Sequence, residues 1–388
     1  MAKTLADKRE YCAELIRACF EKRTPTAIPD GITAKEILDI AISGQMQYPL
    51  ASSLLKLVIP NEDAEKAKEL LKHSTFKTFT QMIAVGQITK VFEENGIRHQ
   101  VLKGAITKTY YPSPEMREMS DVDIVVYDEN LDKAAAVLEG MGYKNYGIIK
   151  HHMILCSPTG VHVEIHWCLF DQNADHNQYV YFKDNFKAVL KEGCKYTYEF
   201  GIDDFYVYMI SHMSKHFFET GCGIRNLLDI YVYRNKFGDK MDKDYLEKEL
   251  TKCGIKDFDD NMTELAYIWM DNKECSEFFE NLFAYMLDSG IYGKDENGVW
   301  GQLAKETNDG GGNAKLHYYF PSIKFMQEKY PFLKKMPFLL PATWVVRGVC
   351  GVCNKKSRDH RKEIETTDKE EMARMLEIYH RLNLKFRK

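Results

Sequence analysis

Asp121-Val-Asp123 opens the run Ser120-Asp-Val-Asp-Ile-Val-Val-Tyr127, in which apolar residues alternate with carboxylates and then continue. Such a run reads as a β-strand whose two acids share one face. Two carboxylates on one face repel each other, and a partly buried site tolerates them only if a cation sits between them. Val161-His-Val-Glu-Ile-His166 is again strand-like, with Glu164 flanked by apolar residues. If the two strands are neighbours, Asp121, Asp123 and Glu164 converge, and three hard oxygen donors suit Mg²⁺ or Mn²⁺ and phosphoryl transfer. Acids at a strand start also occur in solvated turns, so the flanking residues must decide. Leu102-Lys-Gly104 supplies one such flank. A strand, a glycine turn and a helix start together make an anion site, because free backbone amides point outward and glycine lets a phosphate approach closely.

Positioning these groups takes a small sheet, and the surrounding pattern provides one. The first ninety-odd residues read as helices: Ala6 to Glu21, Ala34 to Ile42, and a long pattern through Leu70, Phe76, Phe79, Met82, Val85, Ile88 and Phe92 that stops at Asn95-Gly96. Ile97 to Leu102 reads as a strand, Lys103 to Tyr110 as a turn into a short helix, and Tyr111-Pro-Ser-Pro114 as its end. The strand Asp121 to Tyr127, a helix from Leu131 to Glu139, and two strands around 152–156 and 161–167 follow, the last two joined by the hairpin turn Ser157-Pro-Thr-Gly160. From Asp203 the chain is helical again, with strong patterns at Phe205 to Phe218 and Ile224 to Arg234 and a last amphipathic helix from Thr367 to Leu384. Asn308-Asp-Gly-Gly-Gly-Asn313 reads as a flexible loop. The expected class is α+β: a core at 97–200 between a helical region at 1–96 and another at 201–388.

At 388 residues the chain is long enough for two or three domains, and 45% hydrophobic and 28% charged residues are ordinary for a globular protein. A formal net charge of −4 exerts no global pull toward nucleic acid or an anionic membrane, so any such binding would need a local patch. The N-terminus has no apolar signal core, and the most apolar stretch, Met336 to Val346, is too short to span a bilayer and holds two prolines. The scattered cysteines are expected as reduced thiols in a cytoplasm. Cys350-Gly-Val-Cys353 is the one close pair, with His360 the nearest further ligand candidate, and two small semi-buried residues are preferred over zinc.

Leu102-Lys-Gly104, Tyr111-Pro112, Arg117, Asp121-Val-Asp123 and Glu164-Ile-His-Trp167 together resemble the "uncharacterised nucleotidyltransferase" family of the DNA polymerase β-like nucleotidyltransferase superfamily. The resemblance is carried by residues 97 to 168 and extends more loosely through His212-Met-Ser-Lys-His216 and Arg225-Asn-Leu-Leu-Asp229. It implies a small mixed β-sheet nucleotidyltransferase core flanked by helical regions. It also implies transfer of an NMP, AMP being expected, from an NTP, ATP being expected, to a hydroxyl of a small molecule or protein. Asp121, Asp123 and Glu164 would be both catalytic residues and ligands for Mg²⁺ or Mn²⁺. Lys103, Gly104 and Ala105 would meet the phosphates through the turn.

Arg117 could meet a phosphate with its planar fork or pair with Glu115, Glu118 or Asp121. His166 shares a strand face with Glu164 and could orient it, or serve as a satisfied structural histidine. His212, Lys215 and His216 share one helix face, so Lys215 or Arg225 could reach the nucleotide; a polar face and an Arg225–Asp229 pair is the alternative. The basic stretch Arg347 to Lys362 reads as a solvated loop, since no aromatic residue interleaves with its cations. Nucleic acid is therefore not an expected partner. Ala105 stands where superfamily enzymes carry serine or glycine, which motivates a second reading: a non-catalytic relative that binds nucleotide or a partner protein.

Overall fold

A computed structural model describes residues 5–127, 130–149, 152–307 and 314–384. The glycine-rich stretch read as a flexible loop lies outside the described residues. Helices α1 (Leu5–Phe20), α2 (Ala34–Ser43), α3 (Gln47–Leu54) and α4 (Asn61–Glu94) come first. α4 begins behind Pro60 with Glu62 and Asp63 in its first turn, where acids favour the helix dipole. It ends at Gly96, whose φ of +66° belongs to the left-handed region that glycine enters without strain. Its buried residues Ser74, Thr78, Gln81, Ala84, Ile88 and Phe92 recur every three or four positions and form one narrow stripe.

The sheet is built from β1 (His99–Val101), β2 (Val122–Val126), β3 (Lys144–Ile149), β4 (His152–Cys156), β5 (His162–His166), β6 (Ala188–Leu190) and β7 (Thr197–Phe200), in the order β3-β4-β5-β2-β1-β7-β6. It is mixed: β2 runs parallel to β5 and antiparallel to β1, and β1 runs parallel to β7. Short helices α5 (Lys103–Thr107), α6 (Leu131–Gly140) and α7 (His176–Phe182) lie between strands. The sheet's two faces enter different cores. Val122, Ile124, Val126, Val163 and Ile165 pack with Ile88 and Phe92 of α4 and Ala134 and Leu138 of α6. Val125, on the other face of β2, belongs to the larger core of the helices. Strict alternation along β2 thus turns one face to oil and leaves the other for Asp121 and Asp123.

The remaining helices are α8 (Ile202–Thr220), α9 (Arg225–Phe237), α10 (Lys243–Cys253), α11 (Lys256–Met270), α12 (Glu277–Ser289), α13 (Gly298–Thr307), α14 (Ala314–Tyr319), α15 (Ile323–Lys329), α16 (Leu340–Cys353), α17 (Lys355–Thr366) and α18 (Lys369–Leu382). The class is α+β, as expected. Helices from both ends of the chain share the larger core: Leu15, Ile37 and Leu50 lie in it with Phe217, Trp269 and Leu382.

One reading is corrected. The basic stretch Arg347 to Lys362 is helical, forming the end of α16 and most of α17. Asn354 starts α17 by accepting a hydrogen bond from the Ser357 amide at 3.1 Å, and the lysines and arginines that follow are themselves good helix formers. His360 is buried, with its Nε2 2.8 Å from the Asp295 carbonyl, and Cys350 is exposed. No helix among the described residues is long and apolar enough to cross a membrane.

Candidate active site

Register brings the acids together. In the parallel β2–β5 pair Asp123 stands opposite Glu164, and Val125 opposite His166. Asp121 lies two residues before Asp123, so all three acids belong to one sheet face. The Leu102 amide donates to the Asp123 carbonyl at 2.9 Å, which fixes the end of β1 beside the acids and delivers the following turn to them. Lys103 takes φ +41°, a left-handed conformation that costs a residue with a side chain on the order of 1 kcal/mol. Its ammonium lies 3.1 Å from Asp123 Oδ1. The Gln81 amide group donates to the Met119 carbonyl at 3.1 Å, so α4 holds the loop that enters β2.

A cavity of about 320 Å³ opens over this face. Asp121, Asp123, Glu164, Lys103 and Gly104 line one side. α8 lines the other with Phe205, Tyr208, Met209, His212, Met213 and His216, the i, i+3, i+4 rhythm of a single helix face. Ser120 and Tyr292 form part of the rim, hydrogen-bonded to each other at 2.8 Å, and the Gln45 amide group donates to both.

The charges of the cluster do not cancel. His166 Nε2 lies 2.9 Å from Asp123 Oδ1 and 3.3 Å from Glu164 Oε2. Burial pushes the Asp123 carboxyl up, but Lys103 and His166 outweigh it and hold the group below the usual carboxylate range. Burial likewise raises Glu164, and the hydrogen bond with His166 brings it below its ordinary value. Burial lowers His166, while its two carboxylate partners raise it further than burial lowers it. For Asp121 the balance falls the other way: burial and the negative charge of Asp123 outweigh the pull of Lys103 and push it up to about 6. Three acids stand against one lysine and two imidazoles, and burial disfavours the charged form of His152, so a surplus of negative charge remains, which is the electrostatic requirement of a cation site. A second set of possible ligands overlaps the first at Glu164: His152, Glu164 and His166 each offer an atom within 4.8 Å of the others.

Other residues singled out in the sequence are placed as follows. The Arg117 fork engages Asp229, with Nε donating at 3.1 Å and Nη2 at 2.8 Å; Tyr111 donates to the same carboxylate at 2.7 Å. Its carboxylate partner is thus none of Glu115, Glu118 and Asp121, although Nη1 donates to the Glu118 backbone carbonyl at 3.2 Å. Arg117 lines the cavity from behind Gly104, where an added Cβ would collide with its guanidinium and come within 2.9 Å of Met119 Cβ. That crowding is the local reason for glycine in the turn. Ala105 packs partly buried against the α4-side core. Lys215 pairs with Asp175 at 3.0 Å and is not among the cavity's lining residues. Arg225 lines the cavity and donates to the Glu118 carbonyl at 2.9 Å and to Gln45, rather than to Asp229. Burial and the neighbouring Arg117 lower its pKa to about 10. Tyr208, Asn226, Tyr292 and His152 join the site from outside the sequence motifs. The spacing of Phe205, Tyr208, His212 and His216 was the available signal for the α8 wall.

A family model described as uncharacterised nucleotidyltransferase matches residues 30–271, well over half of the chain, and the chain belongs to that family. The match runs from just before α2 to just beyond α11 and includes every residue of the acid cluster. No curated protein and no solved structure matches the chain.

Proposed function

We propose that this chain transfers an NMP, AMP in the first instance, from an NTP to a hydroxyl of a small molecule or protein, with Mg²⁺ or Mn²⁺. The observation that carries the reading is the register of β2 and β5, which sets Asp123 beside Glu164 with Asp121 on the same face. The donor set fits a divalent ion, because it combines hard oxygens with uncompensated negative charge that pushes Asp121 up. Asp121, Asp123 and Glu164 would hold it, and a bound ion would neutralise phosphate charge during in-line displacement.

The chain's own groups do the remaining work. Lys103 leaves Asp123 for the triphosphate, and Gly104, with no side chain, lets the turn lie against the phosphates beside the Ala105 amide. Arg117, its charge matched by Asp229, braces the wall behind that turn. Lys215 would have to leave Asp175 to reach the nucleotide. Tyr208 and the α8 wall face the base. The acceptor oxygen bonds to the α-phosphorus, its proton passes to Glu164, and the bond to the β-phosphate breaks, releasing pyrophosphate. His166, between Asp123 and Glu164, orients both. Free thiols at the described cysteines fit a reducing compartment, and we assign the activity to the cytoplasm.

Pyrophosphate release across a panel of hydroxyl acceptors and the common NTPs tests this. Release by the native chain and its loss in Asp123→Asn is the expected result; an unchanged rate in that variant overturns the catalytic assignment. One contact favours a second reading, a non-catalytic nucleotide- or partner-binding relative: the Lys103 ammonium already sits on Asp123, where a metal would bind. Nucleotide binding with no pyrophosphate release at any acceptor would support it.

A further inference from the structure

The family match ends at residue 271, and beyond it the surface changes character. Between residues 314 and 358 nine lysines and arginines stand against Glu328 alone, a net +8, which leaves −12 on the rest of a chain whose total is −4. The same stretch inverts the usual burial. It fully buries the large side chains of Met326 and Leu333, neither of which joins the main cores. It exposes Phe320, Phe332, Phe338, Val345, Val346 and Val349, with Phe338 at 75%, Val345 at 67% and Val349 at 64%. Soluble surfaces rarely gather such residues without a partner.

The stretch is nonetheless ordered and self-braced. The Trp344 indole donates to the Pro321 carbonyl at 3.0 Å, its ring meets Phe320 at 5.3 Å, and Arg347 donates to the Tyr318 carbonyl at 2.8 Å. On α16, Val345, Val346 and Val349 fall on one stripe, the i, i+1, i+4 spacing of a helix face. Beside it lies a cavity of about 710 Å³ lined by Lys329, Arg347, Arg358, Arg361 and Lys362, with Glu365 as its carboxylate. Lys334 and Lys335 are exposed just before the helix.

We propose that this C-terminal stretch docks on an anionic lipid surface. Val345, Val346, Val349 and Phe338 enter the headgroup–acyl boundary, and the cations around them meet the negative headgroups, one of which occupies the arginine-lined cavity. Val345, Val346 and Val349 form one exposed helix stripe that offers no ring face for a base to stack on, and beside the cations that composition favours lipid over nucleic acid, even with Phe338 the most exposed apolar residue of the stretch. The local patch supplies what the overall charge of the chain lacks, and α16 lies on the membrane rather than across it.

The full chain is sedimented with vesicles of phosphatidylcholine alone and of phosphatidylcholine mixed with phosphatidylserine. Retention on the mixed vesicles only, falling as salt is raised, is the expected result. Lys334→Ala with Lys335→Ala should weaken partitioning roughly thirtyfold, since each cation near the surface contributes about 1 kcal/mol. Val345→Asp with Val349→Asp should abolish it; both sites are exposed, and an unchanged thermal unfolding profile certifies the fold. Absent retention on the mixed vesicles overturns the proposal, as does equal, salt-insensitive retention on both kinds. Retention of single-stranded RNA without vesicle binding also overturns it, as does a dimer broken by Val345→Asp in a chain that ignores vesicles.

Discussion

Arg117 and Asp229 line the same cavity as Asp121, Asp123 and Glu164, yet the two sets of charge are arranged in opposite ways. In the first, one carboxylate takes both arms of a guanidinium and a tyrosine hydroxyl, and the positive and negative charges cancel. In the second, three carboxylates share one ammonium and two imidazoles, and burial and the charge of Asp123 push Asp121 up to about 6 despite Lys103. A closed pair spends its electrostatics on holding α9 to the turn behind Gly104. An open cluster keeps its electrostatics for a ligand. The difference separates charge that maintains a cavity from charge that acts inside it.

Substitution should separate the two sets by different readouts. Asp123→Asn removes the acid at the centre of the open cluster. Nucleotidyl transfer should fall roughly a thousandfold, while thermal unfolding changes little, because Lys103 and His166 can still hydrogen-bond the amide oxygen. Asp229→Ala opens the closed pair and strands Arg117 in the interior. It should cost about 3–5 kcal/mol of stability in denaturant unfolding. A fully stable Asp229→Ala would erase the distinction between the two sets.

Lys108 sharpens the comparison from a third direction. It is fully buried, with its ammonium 3.4 Å from the Thr78 hydroxyl, and burial together with the nearby Arg117 lowers its pKa from 10.5 to about 7. Below pH 7 both folded and unfolded chains hold the proton, so the folded state carries the full burial penalty. Between about 7 and 10.5 only the unfolded chain holds it, and stability rises with pH. Lys108→Met should therefore stabilise the chain at neutral pH, on the order of 2 kcal/mol, and the gain should shrink as pH climbs toward 10.5. A gain independent of pH would assign the effect to packing instead. The smallest effect is expected at the rim: Tyr292→Phe removes the hydroxyl that meets Ser120 and Gln45 and should raise KM by a few-fold, a loss of about 1 kcal/mol or less, with kcat unchanged.

How much of this was legible in the sequence depended on range. β2 announced itself because β-branched residues alternate with carboxylates within seven positions, and the Glu164 strand carried the same local signal. The turn at Gly104 was legible as a turn, but the reason for its glycine was not, since the colliding guanidinium comes from Arg117. Asp229 as the partner of Arg117 was invisible for the same reason: the two are 112 residues apart, and no local pattern couples them. β3 escaped because it is an edge strand with every residue exposed and a register shift between Asn145 and Gly147, so it has no buried alternation to read. The cations of α17, with no aromatic residue interleaved, read as a solvated loop, whereas the helix is announced only by the single Asn354 cap and by the helix propensity of lysine and arginine. The α8 wall lay in plain view as a helical spacing, but only the fold says which face looks at the acids.

The claim on which the account rests is that Asp121, Asp123 and Glu164 act together on a divalent cation beneath a triphosphate. Mn²⁺ binding followed by electron paramagnetic resonance, with a non-hydrolysable ATP analogue and no acceptor, measures that directly. The account predicts Mn²⁺ bound by the native chain more tightly with the nucleotide present, and lost in a correctly folded Asp123→Asn chain. Equal Mn²⁺ uptake by both chains, or none by either, would contradict it.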